Sequence, residues 1–280
     1  MIDEFHYRIR WRAHTAHPGH HASNQPGGEA EFAGHVPLTS QPEPRNLDVR
    51  ATLADPFGRL MVKSFRQHSA IPVYLLADLS ASMGFNGQTR KLDLLADFAA
   101  STAYSAYRTG DPFCFFGCDE SIRWELAVPL RWHKGFAQQI RDGLANFRPH
   151  GRGANGLLEV APHLGRQRAL LFVASDFHWQ LADLVRLLEA FVHHDLIPVV
   201  LWDSAEYEDL PRFGLAELLD PETGEWRRLF LRPALRRSIR ERYRQRRQQL
   251  TDVCRQYGLE PLFLVNRLDA DALTDYFYRT

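Results

Sequence analysis

The sequence predicts an α/β protein: a doubly wound, mostly parallel sheet over residues 71–280, with a small β-rich appendage over residues 1–70. Three observations carry that prediction. Short apolar runs at 71–77, 113–116, 170–174, 197–202 and 261–265 alternate with stretches whose apolar residues recur at helical spacing. That is the pattern of parallel strands joined by helical crossovers. Residues 29–70 lack helical periodicity and are interrupted by Pro37, Pro42 and Pro44. Finally, the first buried run ends in oxygen-bearing side chains at alternate positions, Asp78, Ser80 and Ser82. Doubly wound sheets bind ligands in the crevice beyond the carboxyl ends of their strands.

Composition sets outer bounds. The chain has 280 residues, of which 45% are apolar and 24% charged, with a formal net charge of zero. These proportions are ordinary for a folded globular chain, and a neutral total provides no global field toward nucleic acid or a membrane surface. No apolar run reaches the ~18 residues a spanning helix needs, and the polar, acidic start of the chain is unlike a secretory signal. Cys114, Cys118 and Cys254 are the only cysteines. The first two lie four apart on an expected strand, roughly 13 Å when extended, too far for a disulfide without a bend. Buried free thiols and a reducing cytoplasm are therefore expected.

Taken in order, residues 1–15 alternate Phe5, Tyr7, Ile9 and Trp11 with His6, Arg8, Arg10 and Arg12, the period of a half-buried strand. Residues 16–28 are rich in glycine and proline and read as a mobile loop. His14, His17, His20 and His21 cluster there; the expectation is a solvated loop, with a zinc-type site as the alternative. Residues 57–67 read as a strand. Leu92, Leu94, Leu95, Phe98, Ala99 and Ala103 mark a helix from 91 to 108. A strand at 113–116 is expected to turn into a hairpin returning at 121–128. Helical pattern follows at 133–147 and 157–164, then the 170–174 strand, a helix through Leu181, Leu184, Val185 and Leu188, and a strand at 197–202 that carries Pro198. Residues 203–225 are acidic, with a hairpin turn read at 222–225 and its return strand at 226–231. An arginine-rich helix at 232–247 continues to Gly258, a helix-ending residue. A last strand and a short helix at 268–277 complete the pattern.

The chemistry-bearing stretch is Asp78-x-Ser80-x-Ser82, with Asp176 after the second long strand. A carboxylate and two hydroxyls on one loop suit a small hard cation such as magnesium, which takes oxygen ligands and keeps several waters. Asp-x-Ser-x-Ser after an apolar strand resembles the metal-ion-dependent adhesion site of von Willebrand factor A domains. Ala174-Ser175-Asp176-Phe177 resembles that family's second acidic loop. Upstream, the runs beginning Pro44-Arg45-Asn46-Leu47-Asp48 and Gly58-Arg59-Leu60-Met61 look like the segment preceding the A domain in the DUF58 group. The resemblance spans about residues 29–265.

That resemblance implies strand order 3-2-1-4-5-6 and a metal bound by Asp78, Ser80, Ser82 and Asp176: magnesium, with manganese or calcium as alternatives. The family's threonine on the next loop is absent. In the run Gly151-Arg152-Gly153-Ala154-Asn155-Gly156, Ala154 or Asn155 takes its place, and Asn155 could supply a carbonyl oxygen. The group often accompanies MoxR-type AAA+ ATPases, and one branch resembles the MxaS proteins of methanol-oxidation gene clusters. The implied role is a non-enzymatic, cytoplasmic interaction module that meets a client carboxylate through the metal. It would serve maturation or remodelling of a client complex beside the ATPase. For that role the two acids and two hydroxyls must converge at a point facing solvent.

Other chemistries fit the residues less well. Ser80 lacks the Gly-x-Ser-x-Gly elbow of a nucleophile, leaving His178 as a conceivable base. No glycine fingerprint or Walker lysine marks a nucleotide site. The arginine-rich helix gives nucleic-acid binding as the alternative function, disfavoured by the acidic stretch before it and the neutral total.

Overall fold

The computed structural model describes residues 2–13, 18–209, 214–219 and 226–279. They divide into two compact units, Ile9–Ile71 and Met1–Arg8 with Pro72–Thr280.

In the smaller unit, β1 (Pro18–Pro37) pairs antiparallel with β2 (Met61–Ser69), with four register shifts along the ladder. The mobile loop expected at 16–28 is therefore largely strand. Its glycines and prolines conceal the strand because they carry no alternating pattern, and the ladder tolerates them through irregular register. Of the histidine cluster, His20 is exposed and His21 buried, while His14 and His17 lie outside the described residues. A 3-10 turn (Pro44–Asn46) and a short helix, α1 (Val49–Ala54), interrupt the segment between the strands, which sequence reads as lacking helical periodicity. Asp48 caps it by accepting from Ala51 N at 3.1 Å, and its other oxygen meets His35 at 3.0 Å and Lys63 at 3.8 Å. Asp48 of the Arg45–Asp48 run is thus a helix cap with ion-pair partners.

The larger unit is built on a six-stranded sheet. Its elements in chain order are β3 (Val73–Asp78), α2 (Lys91–Thr109), β4 (Phe113–Cys118), β5 (Val128–Arg131), α3 (Phe136–Asn146), α4 (Gly156–Glu159), β6 (Leu170–Ser175), α5 (Leu181–Ala190) and β7 (Asp195–Trp202). A separate antiparallel pair follows, β8 (Gly214–Leu219) with β9 (Trp226–Leu231), and then α6 (Pro233–Gln256), β10 (Leu262–Val265) and α7 (Ala270–Tyr278). The expected turn at 222–225 lies outside the described residues.

The sheet order is β10-β7-β6-β3-β4-β5, parallel throughout except for β5. Read from β5 and numbered along this sheet, it is 3-2-1-4-5-6, as the family resemblance implied. The chain returns to the edge at β5, later than the 121–128 segment expected from sequence. Pro198 sits in β7 one residue before pairing with β10 begins at Val199, where the strand has a single neighbour. A missing N–H is tolerated at such an edge-like position.

Central strands β3, β4 and β6 are buried along their whole length, which explains why they read as continuous apolar runs. Phe172 of β6 meets Phe98 of α2 and Phe277 of α7 on one face. Leu171 and Val173 face the opposite core with Leu157, Leu184, Leu188 and Leu250. The sheet is therefore wound on both sides. The N-terminal alternation seen in sequence is real in burial but forms no ladder. Phe5 and Tyr7 are buried in an extended segment, with Phe5 N donating to Ser105 Oγ at 3.0 Å and His6 N to Thr274 Oγ1 at 3.0 Å. A period of two records an extended chain with one buried side, and that condition does not require a strand partner. The three cysteines are buried free thiols, and burial pushes Cys114 and Cys254 up to about 12.

Candidate functional site

Register places the acidic loops. Ala77 of β3 pairs with Ala174 of β6, so Asp78 and Ser175 leave the sheet side by side, with Asp176 one step further. Ser175 Oγ donates to Asp78 Oδ2 at 2.6 Å and accepts from Phe177 N at 2.9 Å. Trp179 Nε1 donates to the same Asp78 oxygen at 3.1 Å, and Ser80 N donates to Asp78 Oδ1 at 2.8 Å. Ser80 then opens a 3-10 turn over Ala81–Gly84 that brings Ser80 Oγ and Ser82 Oγ to 3.3 Å. The loop at 151 approaches from the other side: Ala81 N donates to Gly151 O at 2.9 Å. A Cβ at Gly151 would stand 2.6 Å from the Asp119 carboxyl, so only glycine permits that approach.

Asp176 is held differently. Lys91, the first residue of α2, places its ammonium 3.0 Å from Asp176 Oδ2 and 2.7 Å from Glu206 Oε1. The same ammonium lies 5.5 Å from the Phe85 ring centre. Asp176 Oδ1 accepts from His178 N at 3.2 Å, and the Asp176 carbonyl accepts from Trp202 Nε1 at 2.9 Å. Phe177, with φ 51°, turns the chain sharply after it, a backbone region that non-glycine residues rarely adopt.

The two carboxyls titrate in opposite directions. Burial, with the charge of Asp176 second, pushes Asp78 up to about 6 against the donors around it. Burial would also raise Asp176. The Lys91 ammonium, then His178 and hydrogen bonds from Lys91 and Ser82, outweigh it and hold Asp176 well below the usual carboxylate range. Burial works against the charge on Lys91 and on His178, yet their acidic neighbours raise both above their ordinary values.

Of the residues expected at the site, Asp78, Ser80, Ser82 and Asp176 come together at one end of the sheet. Asn155 does not join them: it is exposed and lines a neighbouring cleft of about 290 Å³ with Gly153, Ala154, His178, Trp179 and Asp183. The expected opening to solvent is also absent at the carboxylates. Asp78, Ser80 and Asp176 are 0% exposed and Ser82 9%.

This donor set does not fit magnesium. Each oxygen of the two carboxylates already accepts a hydrogen bond. The amide offered in place of threonine stands at the surface, and an ammonium already neutralises Asp176. Among the described residues no group of three or more His, Cys, Asp or Glu side chains is placed to hold a metal. The Ser80 and Ser82 hydroxyls lie 3.3 Å apart, and His178 Nε2 lies 3.8 Å from Glu206, so the histidine considered as a base is engaged with an acid.

Lys91, Glu206, Ser175 and Trp179 were missed as site residues in the sequence. Lys91 had a signal. It stands in phase with Leu94, Leu95 and Phe98 on the buried stripe, and with Arg90 it puts two cations at a helix N-terminus, against the helix dipole. Glu206 had none, because only the capped turn after β7 delivers it. There Asp203 accepts from Ala205 N at 2.7 Å and reaches across to Thr89 N at 2.8 Å, while Glu206 Oε2 accepts from Asp203 N at 3.4 Å.

Part of the arginine-rich helix is used inside the fold. Arg246 donates to the carbonyls of Phe177 and Trp179, Arg240 donates to the Glu208 carbonyl, and Arg247 lies over Phe263.

Comparison with known proteins adds family membership. A family model described as "Protein of unknown function DUF58" matches residues 45–249. A Paracoccus denitrificans protein described as "Uncharacterized protein in moxR 3'region" is 34% identical over 103 residues, 37% of this chain and 98% of that protein. Among solved structures, an aerotolerance-related membrane protein from Bacteroides fragilis aligns with TM-score 0.42 at 11% identity, over 75% of this chain and 98% of the other. The SpRpn10 VWA domain aligns with TM-score 0.39 at 12% identity, over 75% and 95%. The fold assignment rests on the strand order and pairing rather than on those scores.

Proposed function

We propose that this chain, which belongs to the DUF58 family of proteins of unknown function, works as a non-enzymatic protein–protein interaction module beside a MoxR-type AAA+ ATPase. Its client would be a protein or complex that the ATPase matures or remodels. One observation carries the reading. The loop after β6, the start of α5 and the segment 153–158 frame a cleft beside the point where the strand order reverses, between β3 and β6, and its Trp179 donates to the buried Asp78. Doubly wound sheets present ligands in that crevice. The lining mixes the Trp179 and Leu158 side chains with His178, Gln180 and Asp183, which suits a partner segment of mixed character. The relative found in a moxR 3' region supports the choice of ATPase. No helix among the described residues is long and apolar enough to cross a membrane.

The non-enzymatic reading is tested directly: a fluorophosphonate probe is expected to leave Ser80 and Ser82 unlabelled, and labelling of either would overturn it. The magnesium ion implied by the family resemblance has no part in this proposal, because the donor set does not fit it. Nucleic-acid binding through α6 is not favoured, since Arg240, Arg246 and Arg247 are spent on internal contacts.

The test is co-elution of the purified chain with a MoxR-type ATPase from the same organism, with and without ATP. Asp183→Arg and Gln180→Arg are placed to obstruct the cleft rim. Capture by the wild type and loss in both variants is expected; equal capture by all three would remove the cleft from the account.

A further inference from the structure

We infer that Lys91 supplies, from within the chain, the positive charge that a divalent ion supplies in an adhesion-type metal site, so that this mouth holds its shape without metal. The inference does not rest on the interaction reading above, since it concerns how the site is built and not what docks on it.

Three observations combine. First, Lys91 is 1% exposed, and a lysine is driven that deep only when its ammonium is fully paired. It is paired twice, to carboxylates on two different loops, Asp176 after β6 and Glu206 after β7. Second, the ammonium crosslinks three chain segments at the carboxyl end of the sheet: the start of α2, the β6 loop and the β7 turn. A metal ion at such a mouth ties loops together through shared oxygens, and Lys91 ties them through shared hydrogen bonds. Third, the surroundings are built for a fixed cation. The Phe85 ring faces the ammonium. Asp203 accepts from Gln88 N, Thr89 N and Ala205 N, locking the segment before α2 to the β7 turn that carries Glu206. His178 approaches Glu206 from the outer side at 3.8 Å and stacks on Trp202.

Asp78 completes the argument by needing no cation. Its oxygens accept from a backbone N–H, a hydroxyl and an indole N–H, all of them neutral donors. A divalent ion inserted between Asp78 and Asp176 would strip those donors and stand beside an ammonium of like charge. The Ser80 and Ser82 hydroxyls alone are weak ligands for a cation that gives up its water reluctantly.

The deciding experiment uses the purified chain alone. Manganese binding is followed by titration calorimetry and by the electron paramagnetic resonance of the free ion, for the wild type and for Asp78→Ala. Thermal unfolding is recorded in millimolar magnesium and in chelator. The expected result is no saturable manganese site in either protein and the same wild-type midpoint in both buffers. Saturable binding by the wild type that Asp78→Ala abolishes would overturn the inference.

A second variant tests the lysine itself. Lys91→Met keeps the length of the side chain and removes the charge. It is expected to lower the midpoint by about 10 °C or to prevent folding, and magnesium should not restore it in the presence of an intact Asp78. A Lys91→Met protein as stable as the wild type would show that the ammonium does not hold the mouth, and would equally overturn the inference. Failure of either arm leaves the co-elution result untouched, so the two readings can fail separately.

Discussion

Two loops one strand apart solve the same problem in different ways. The β3 loop buries Asp78 among neutral donors, and the β6 loop buries Asp176 against a cation. Both carboxyls are 0% exposed and both close a fully buried strand. The results diverge because the compensation differs in kind. Hydrogen bonds from neutral groups lower the cost of burying a charge without cancelling it, so the neutral acid is favoured and the Asp78 pKa rises to about 6. An ammonium at 3.0 Å returns about 5 kcal/mol of attraction at an effective dielectric of about 20, so the ionised form of Asp176 is favoured. Burial alone therefore does not set the charge state of a buried acid; the nature of its partners does.

That contrast can be broken most severely at Lys91. Removing the ammonium leaves the buried Asp176 and the partly buried Glu206 without their shared cation, and Lys91→Met is expected to cost about 3–5 kcal/mol in urea denaturation. The double variant Lys91→Met with Asp176→Asn should recover part of that loss. A strictly additive double variant would mean that the pair does not interact. Asp176→Asn alone leaves Lys91 its second partner, Glu206, and is expected to cost about 1–3 kcal/mol.

The two acids should also separate in their pH dependence. The Asp176 pKa is depressed in the fold, so its contribution is present above the unfolded value of about 3.9 and is lost as pH falls through the folded value. The Asp78 pKa is raised, so its ionisation removes stability as pH climbs from about 4 toward about 6. Asp78→Asn should therefore compare more favourably with the wild type at pH 7 than at pH 4, whereas the disadvantage of Asp176→Asn should hold steady from about pH 7 to about pH 4 and shrink only below that, toward about pH 2. Denaturation midpoints of the three proteins across that range check both signs, and parallel curves would contradict them. Trp179→Phe, which deletes one of three donors to Asp78, is expected to cost about 1 kcal/mol and to raise the Asp78 pKa further.

At the small end stands the Arg59–Asp55 pair in the other unit, 2.8 Å apart. Arg59 holds Asp55 down to about 2, yet the Arg59 end is half-exposed and solvent screens such pairs, so they contribute little. Arg59→Ala should leave the unfolding midpoint within experimental error at pH 7.

The legibility of the molecule follows the range of the forces involved. The sequence by itself determined the sheet strands and most of their helices, because a strand buried on both faces must be apolar throughout and an amphipathic helix must repeat near 3.6 residues. It also placed Asp78, Ser80, Ser82 and Asp176 at strand ends, since those acids terminate apolar runs. It misread residues 18–28 as loop because an irregular ladder needs only a partner strand, and their partners in β2 lie roughly forty to fifty residues away. It could not foresee that Glu206 and Lys91 meet at Asp176 across 115 positions of chain. Only the tertiary structure decided what neutralises each acid, because desolvation and Coulomb attraction act through distance in space, and distance along the chain carries almost none of that information.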